Sequence, residues 1–128
     1  MKIRGVDFVM YPVSNLTRAA RFYREVLGLR QEIFSREGQW AEFNCGNVTL
    51  SLHGGEKIPK RTAGPRLALA VKDLPAAQAE LKRKKVRVLQ PLQDYSVCQA
   101  MVIADPDGNA VILHQRADGT CGQQSRKA

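Results

Sequence analysis

Two histidines stand at matching places in this sequence and are its first candidates for chemistry. Each follows a leucine at the end of an apolar run, as Leu52-His53 and as Leu113-His114. An imidazole changes charge near neutral pH and can act as a general acid or base, and its ring nitrogens can bind a metal. The two rings therefore suggest an acid/base pair or a metal pair. The alternative is that both histidines lie at strand ends and face only water.

Trp40 and Glu42 form a second candidate group. They alternate with Ala41 and Phe43, and side chains alternate between the two faces of a strand. Ala41 and Phe43 suit a helix-packed face, which leaves Trp40 and Glu42 on the other face. There Trp40 could stack on a planar ligand, and a desolvated Glu42 could act as a general base. The alternative is that Trp40 is an ordinary core residue and Glu42 a solvated strand residue.

The composition limits the class of protein. The 128 residues, 44% hydrophobic and 25% charged, suit one globular domain, and the apolar runs are too short to cross a membrane. The net charge of +8 comes mainly from residues 82–87, at the end of a predicted helix, and from Arg126 and Lys127. Aromatic residues are not interleaved with these charges, so no nucleic-acid partner is predicted. Three widely spaced cysteines favour the reducing cytoplasm over a disulfide framework.

The chain contains an internal repeat, in which residues 9–19 align with residues 67–77. Both segments begin with an apolar run of strand length and continue into apolar residues at helical spacing. Asn15 and Asp73 are the predicted N-caps, because a side-chain oxygen can accept from the unpaired amides of a first helical turn. Gly28 is the predicted end of the first helix.

Later segments of the two copies also match, since residues 46–53 resemble residues 108–114. A turn is predicted before each of these strands, at residues 44–47 and at residues 105–108. Each copy thus consists of a strand, a helix and three further strands. The sequence therefore predicts an α+β protein built from two tandem βαβββ modules.

The predicted module boundaries divide the chain into four parts. Module one covers about residues 3–54 and module two about residues 65–117, and together they form a domain at residues 1–117. Residues 55–64 form a polar linker whose Gly, Pro and Lys content suits an exposed crossing. Residues 118–128 have no apolar periodicity and are predicted as a disordered tail.

Two motifs resemble a known superfamily. The first is Val9–Leu16 (VMYPVSNL), followed by residues 19–23 and 27–29, and the second is Asp105–Asn109 (DPDGN). They are similar to the opening and closing signatures of the vicinal oxygen chelate superfamily, which includes glyoxalase I, extradiol dioxygenases, fosfomycin-resistance enzymes and bleomycin-binding proteins. The resemblance covers about residues 3–116. It implies that the sheets of the two modules curl around a central cavity and that the protein is a homodimer.

The resemblance also implies where a divalent metal would bind. Catalytic members of the superfamily take metal ligands from the first and last strands of each module, usually His and Glu. The corresponding positions of this chain are Phe8, Ser51, Arg66 and Ile112. Phe, Ile and a protonated Arg cannot ligate a metal, and Ser alone is a poor ligand. We therefore expect no metal and no other cofactor, unless a divalent metal binds at a displaced site.

The same alignment predicts which side chains line the cavity. If Ser51 and Ile112 face it, His53 and His114 lie at its rim, because residues two apart share a strand face. Apolar neighbours would complete a pocket of the kind that binds small molecules. The predicted ligand-binding residues are Phe8, Met10, Trp40, Ser51, His53, Arg66, Met101 and Ile112.

Arg66 would put a fixed positive charge on the cavity face, which is costly unless the charge is paired. As a functional residue it would bind a carboxylate or a phosphate. The alternatives are an internal salt bridge, for which Glu42 is the simplest partner, or an exposed Arg66 after Gly64-Pro65.

Three functions fit these observations. The first is a metal-free protein that binds or sequesters a small ligand, which is anionic or aromatic. The second is a lyase, isomerase or dioxygenase-type enzyme of the same superfamily, with Glu42 or His114 as its base or with a displaced metal at His53 and His114. The third is a structural or regulatory module with a filled cavity.

Overall fold

The chain folds as two compact units, Met1–Ala63 and Gly64–Ala128. The computed structural model describes residues 2, 4, 7–57 and 66–122. Each unit carries one four-stranded sheet and one main helical segment. The predicted α+β class and the two tandem βαβββ modules are confirmed.

The first unit contains four strands and one helical segment. Their order is β1 (Phe8–Pro12), α1 (Leu16–Arg21), which continues as a π-helical turn (Phe22–Val26), β2 (Arg30–Ser35), β3 (Trp40–Asn44) and β4 (Thr49–His53). The order in the sheet is β1-β4-β3-β2, with β1 parallel to β4 and the other neighbours antiparallel. The first strand of the unit therefore pairs with its last strand.

The second unit repeats this arrangement. Its elements are β5 (Leu67–Ala70), α2 (Leu74–Arg83), β6 (Val88–Asp94), β7 (Cys98–Ala104) and β8 (Ala110–Arg116). The order in the sheet is β5-β8-β7-β6, and β5 runs parallel to β8. The identical strand order of the two units confirms the repeat read from the sequence.

Side-chain caps begin both helices where the sequence predicts them. Asn15 Oδ1 accepts from the backbone N–H of Arg18 at 3.0 Å, and Asp73 Oδ1 accepts from the N–H of Ala76 at 3.1 Å. The first helical segment ends at Val26, and Gly28 follows with a φ of 68°, in the left-handed region that favours glycine. These contacts fix where each helix leaves the sheet.

Removing the first cap tests its contribution to stability. Asn15→Ala leaves the Arg18 amide without its side-chain partner, so we expect the free energy of unfolding to fall by about 1 kcal/mol. Urea denaturation followed by circular dichroism measures the change. Asn15→Ser is the matched control because serine caps nearly as well as asparagine. Equal stabilities of the Ala and Ser variants would contradict the cap.

One face of each sheet packs against the helix of the same unit. In the first unit the residues of β3 and β4 on this face are fully buried, and the ring of Tyr23 lies 6.0 Å from that of Phe43. In the second unit Gln115 Oε1 accepts from the N–H of Leu74, the first residue of α2, at 2.8 Å. The buried sheet residues on the helix faces are Ala41, Phe43, Leu50, Leu52, Met101, Ile103, Val111 and Leu113. The other face of each sheet remains open to carry a site.

The predicted turn before β8 is confirmed. The N–H of Gly108 donates to the Asp105 carbonyl at 2.9 Å, and the φ of Gly108 is 86°. The Asp105 carboxylate accepts from the N–H of Asp107 at 2.9 Å, and from the N–H and the side-chain amide of Asn109, each at 2.8 Å. Only 4% of Asp105 is exposed, so this carboxylate is a buried organiser of the turn.

The segment after β8 begins with hydrogen-bonded turns, and the disorder predicted for residues 118–128 stays a prediction. Ala117 N–H donates to the Val97 carbonyl at 3.0 Å, and Thr120 Oγ1 donates to Asp118 Oδ1 at 2.6 Å. These long-range and local hydrogen bonds give residues 118–122 a fixed path. Residues 123–128 of the predicted tail and residues 58–64 of the predicted linker lie outside the described residues. In the described part of the chain, no helix has the length and apolar character to cross a membrane.

Candidate functional site

The open face of the first sheet carries six of the predicted site residues. The strand register pairs Met10 with Ser51, Ser51 with Glu42, and Trp40 with His53. Paired residues of neighbouring strands share a face, and this face is opposite to the buried Ala41 and Phe43. The register therefore puts these side chains on one face of the sheet, as strand alternation predicts. The six residues are Phe8, Met10, Trp40, Glu42, Ser51 and His53.

Large apolar side chains on this open face are exposed to solvent. Phe8 is 51% exposed and Met10 is 42% exposed. The ring of Phe8 stands perpendicular to Trp40 with 5.7 Å between centroids, and His53 lies 6.2 Å from Trp40. Covering apolar surface is favourable by about 25 cal/mol per Å². The face therefore offers an aromatic surface suited to an apolar or planar ligand.

Two carboxylates position the polar groups of this face. Trp40 Nε1 donates to Glu42 Oε2 at 2.9 Å, so the Glu42 carboxylate is held beside the Trp40 ring. His53 Nδ1 lies 2.8 Å from Glu56 Oε2. A carboxylate at Nδ1 orients an imidazole and leaves Nε2 for a ligand or a proton transfer. Sequence reasoning missed Glu56, although its position three residues after His53, across Gly54-Gly55, was a usable signal.

Ser51 is the one buried polar residue on this face. It is fully buried, and its Oγ has no hydrogen-bond partner among the described residues. Met10 and Glu42 are its neighbours in the adjoining strands. A buried hydroxyl without a hydrogen-bond partner costs about 1–3 kcal/mol. A ligand that supplies a partner for Ser51 Oγ would therefore be stabilised here.

Ile112 and His114 share the open face of the second sheet, as predicted. Ile112 pairs with Ala68 and Val102, and His114 pairs with Ala70 and with Ala100. None of these residues belongs to the face that packs on α2. On the side of β5 the neighbours Ala68 and Ala70 carry only small side chains.

Met101, one of the predicted ligand-binding residues, lies on the opposite face of the second sheet from Ile112. Met101 pairs with Leu113 and is fully buried on the face that packs on α2. Its neighbour Val102 takes the place opposite Ile112. Because side chains alternate along β7, a shift of one residue moves a side chain to the other face.

A pocket of about 860 Å³ opens on this face of the second sheet. Its floor includes Ala68, Ala70 and Ile112, and His114 also lines it. One wall comes from Gly119–Gly122, the segment predicted to be disordered. Arg66 is exposed and precedes β5, two residues before Ala68, which agrees with the interpretation that places it in solvent.

The thiols differ in their surroundings. Burial raises the pKa of the Cys45 thiol, which keeps this group protonated and unreactive at neutral pH. Cys98 is half-buried, whereas Cys121 is exposed and lines the pocket of the second unit. Cys121 is thus the thiol that a reagent in solution reaches most readily.

Comparison with known proteins identifies a family. Residues 5–113 match the Glyoxalase/Bleomycin resistance protein/Dioxygenase superfamily. The chain is 27% identical over 118 residues to "Metallothiol transferase FosB" of Staphylococcus haemolyticus, and the match covers 88% of this chain and 84% of that protein. The FosB of Staphylococcus epidermidis matches with the same identity and coverage.

Solved structures show the same fold. The integron cassette protein HFX_CASS4, from a sewage-outfall metagenome, has a TM-score of 0.72 and 22% identity, with 88% of this chain and 99% of that chain covered. Fosfomycin resistance protein FosX from Mesorhizobium loti has a TM-score of 0.72 and 20% identity, with 89% and 93% covered. Lactoylglutathione lyase from Agrobacterium tumefaciens has a TM-score of 0.67 and 19% identity, with 90% and 96% covered.

A divalent metal does not fit the residues at the positions that the resemblance assigns to its ligands. Phe8 and Ile112 present hydrocarbon, Arg66 presents a cation, and Ser51 is the one oxygen donor. Among the described residues, no three His, Cys, Asp or Glu side chains come together as a metal site requires.

Proposed function

Because the chain belongs to the Glyoxalase/Bleomycin resistance protein/Dioxygenase superfamily, we propose that it binds a small organic ligand on the open faces of its sheets without a divalent metal. One observation carries the proposal. Phe8, Ser51, Arg66 and Ile112 stand where the resemblance expects metal ligands, and of the four only Ser51 carries a side-chain atom that could ligate a metal.

The residues on the open faces favour an aromatic or anionic ligand. Trp40 and Phe8 expose ring surface on which a planar molecule can stack, and Ser51 offers a buried hydroxyl. Arg66 is an exposed cation near the start of β5 and suits a carboxylate or phosphate group. The proposal includes a homodimer, which the resemblance implies, and the cytoplasm, which the cysteine content favours.

A metal-free enzyme of the lyase or isomerase type is the second candidate. The observation that favours it is the 2.8 Å contact between His53 Nδ1 and Glu56 Oε2, since a carboxylate that orients an imidazole is a common base arrangement. Glu42 and His114 remain the catalytic residues proposed from the sequence. Turnover that survives chelation and disappears in His53→Asn would favour this candidate over simple binding.

Ligand binding can be followed through Trp40, the only tryptophan of the chain. We expect N-phenyl-1-naphthylamine, a neutral aromatic probe, to change Trp40 fluorescence saturably and with the same affinity after EDTA treatment. Phe8→Ala should weaken this binding about tenfold, because the ring that faces Trp40 is lost. Tyr95→Ala removes an aromatic side chain of similar exposure, 53%, and should leave the affinity unchanged.

Metal addition provides the opposing test. A metal that binds the native state raises its stability by about 2.7 kcal/mol at a free concentration one hundred times its Kd. We expect no rise in Tm with Zn²⁺, Ni²⁺, Mn²⁺ or Fe²⁺. One equivalent of bound metal with a clear rise in Tm would overturn the metal-free proposal. Absence of any saturable signal from the aromatic probe would overturn the binding proposal.

A further inference from the structure

The pocket of the second unit is partly built by residues outside the family match. The match ends at residue 113, whereas Arg116, Thr120 and Cys121 line the pocket. Its floor is apolar and comes from Ala68 and Ile112, on the open face of the sheet. The pocket therefore combines a sheet face that lies within the family match with a C-terminal segment that lies outside it.

Arg116 holds residues 119–122, which form one wall of this pocket, through two hydrogen bonds. Its Nη1 donates to Thr120 Oγ1 and its Nη2 donates to the Gly122 carbonyl, both at 3.3 Å. Both partners are neutral oxygen atoms, and Arg116 Nε is buried without a hydrogen-bond partner among the described residues. A guanidinium has five N–H donors, so these two bonds leave hydrogen-bonding capacity for a further acceptor.

The charges around the pocket favour an anion. Lys72, Arg116 and His114 line it, and none of the residues that line it is acidic. Lys72 is exposed and forms no ion pair with any residue that the structure describes. Asp118, in the adjoining turn, already accepts from the N–H and the hydroxyl of Thr120. Counting this carboxylate, the two permanent cations still leave an excess of positive charge.

We propose that this pocket binds an amphipathic organic anion. Its carboxylate, sulfonate or phosphate group lies near Lys72 and Arg116, and its apolar body covers Ala68, Ala70 and Ile112. Charge-assisted hydrogen bonds to Lys and Arg are stronger than neutral ones, and Arg binds planar or tetrahedral oxyanions with two donors. The inference rests on the proposed function, because Ile112 and His114 belong to both, and it adds the ligand class and the residues that select it.

A matched pair of fluorescent probes tests the charge requirement in the full-length protein. 8-Anilino-1-naphthalenesulfonate and N-phenyl-1-naphthylamine share one ring system, and only the first carries a sulfonate. We expect the sulfonate to bind about tenfold more tightly, which corresponds to about 1.4 kcal/mol. Lys72→Gln should abolish this preference and leave the affinity for the neutral probe unchanged. Lys82→Gln makes the same charge change on α2, outside the pocket lining, and should keep the preference.

Arg116 requires a pair of variants, because it also fastens the wall. Arg116→Gln removes the charge and should reduce sulfonate affinity about tenfold. Arg116→Lys keeps the charge and should retain most of the preference for the sulfonate. If Arg116→Gln lowers the affinity for both probes equally and Arg116→Lys does not restore it, Arg116 has a structural role only. That result would overturn the part of Arg116 in anion selection.

Cys121 reports where the anion binds. The sulfonate at saturation should slow alkylation of Cys121 about tenfold, whereas Cys45 and Cys98 should react as before; peptide mass spectrometry resolves the three sites. If the sulfonate does not slow alkylation of Cys121, or if the two probes bind with equal affinity, the inference is overturned. If the neutral probe still binds through Trp40 in that case, the proposed function stands alone. If neither probe binds, both fail.

Discussion

Asp105→Ala is expected to lower the free energy of unfolding by about 3 kcal/mol or more. The carboxylate accepts three hydrogen bonds, from the backbone N–H groups of Asp107 and Asn109 and from the side-chain amide of Asn109. Asp105 and Asn109 are almost fully buried, so water cannot readily replace the lost acceptor. The turn that leads into β8 would therefore lose its internal support.

An exposed aspartate provides the control for this result. Asp94 Oδ1 accepts from the N–H of Ser96 at 2.9 Å in a turn that is open to solvent. Asp94→Ala should cost less than about 1 kcal/mol, since water can take over the hydrogen bond. Urea denaturation of both variants, followed by circular dichroism, gives the two free energies. Similar losses of unfolding free energy for Asp94→Ala and Asp105→Ala would mean that burial does not determine how much the Asp105 hydrogen bonds stabilise the protein.

Phe43→Ala is expected to destabilise the protein by about 3–5 kcal/mol, whereas Phe8→Ala should cost about 1 kcal/mol or less. Both residues lie on the first sheet, but on opposite faces. Phe43 is fully buried against Tyr23, so its truncation leaves a cavity, whereas Phe8 is 51% exposed and its truncation leaves none. The same chemical change therefore separates the packing face from the open face.

The two phenylalanine variants should also differ in their effects on binding. Phe8→Ala keeps a stable fold and weakens binding of the neutral aromatic probe, because Phe8 stands 5.7 Å from Trp40. The free energy of unfolding from urea titration and the Trp40 binding curve separate the two effects. A large loss of stability in Phe8→Ala would contradict the assignment of its face, and unchanged binding would contradict its role in the site.

Much of the fold could be predicted because local chemistry and long-range structure agree. The Asn15 and Asp73 caps, the Gly28 stop and the turn at Asp105 each depend on residues close in sequence. Strand alternation then placed Trp40 and Glu42 opposite to Phe43. The internal repeat supplied the βαβββ succession of elements, because each copy supports the assignment of the other.

Other features depend on contacts that the sequence does not display. The face of Met101 depends on the register between β7 and β8, and β7 was not among the aligned segments of the repeat. The Gly119–Gly122 wall has no apolar periodicity that would reveal it in the sequence. Hydrogen bonds from Arg116, and the long-range bond from Ala117 to Val97, hold it instead. The His53–Glu56 contact crosses a glycine pair whose path only the folded chain defines.

The parallel pairing of first and last strands has a consequence for the order in which each unit forms. Strands β2, β3 and β4 are antiparallel neighbours in sequence order and can pair by closing short loops. The pairing of β1 with β4 brings Phe8 to Thr49, and that of β5 with β8 brings Leu67 to Val111, so each closes a loop of about forty residues. The entropic cost of these closures rises with sequence separation and slows folding. The opening strand of each unit is therefore expected to dock late, onto a meander that has already formed.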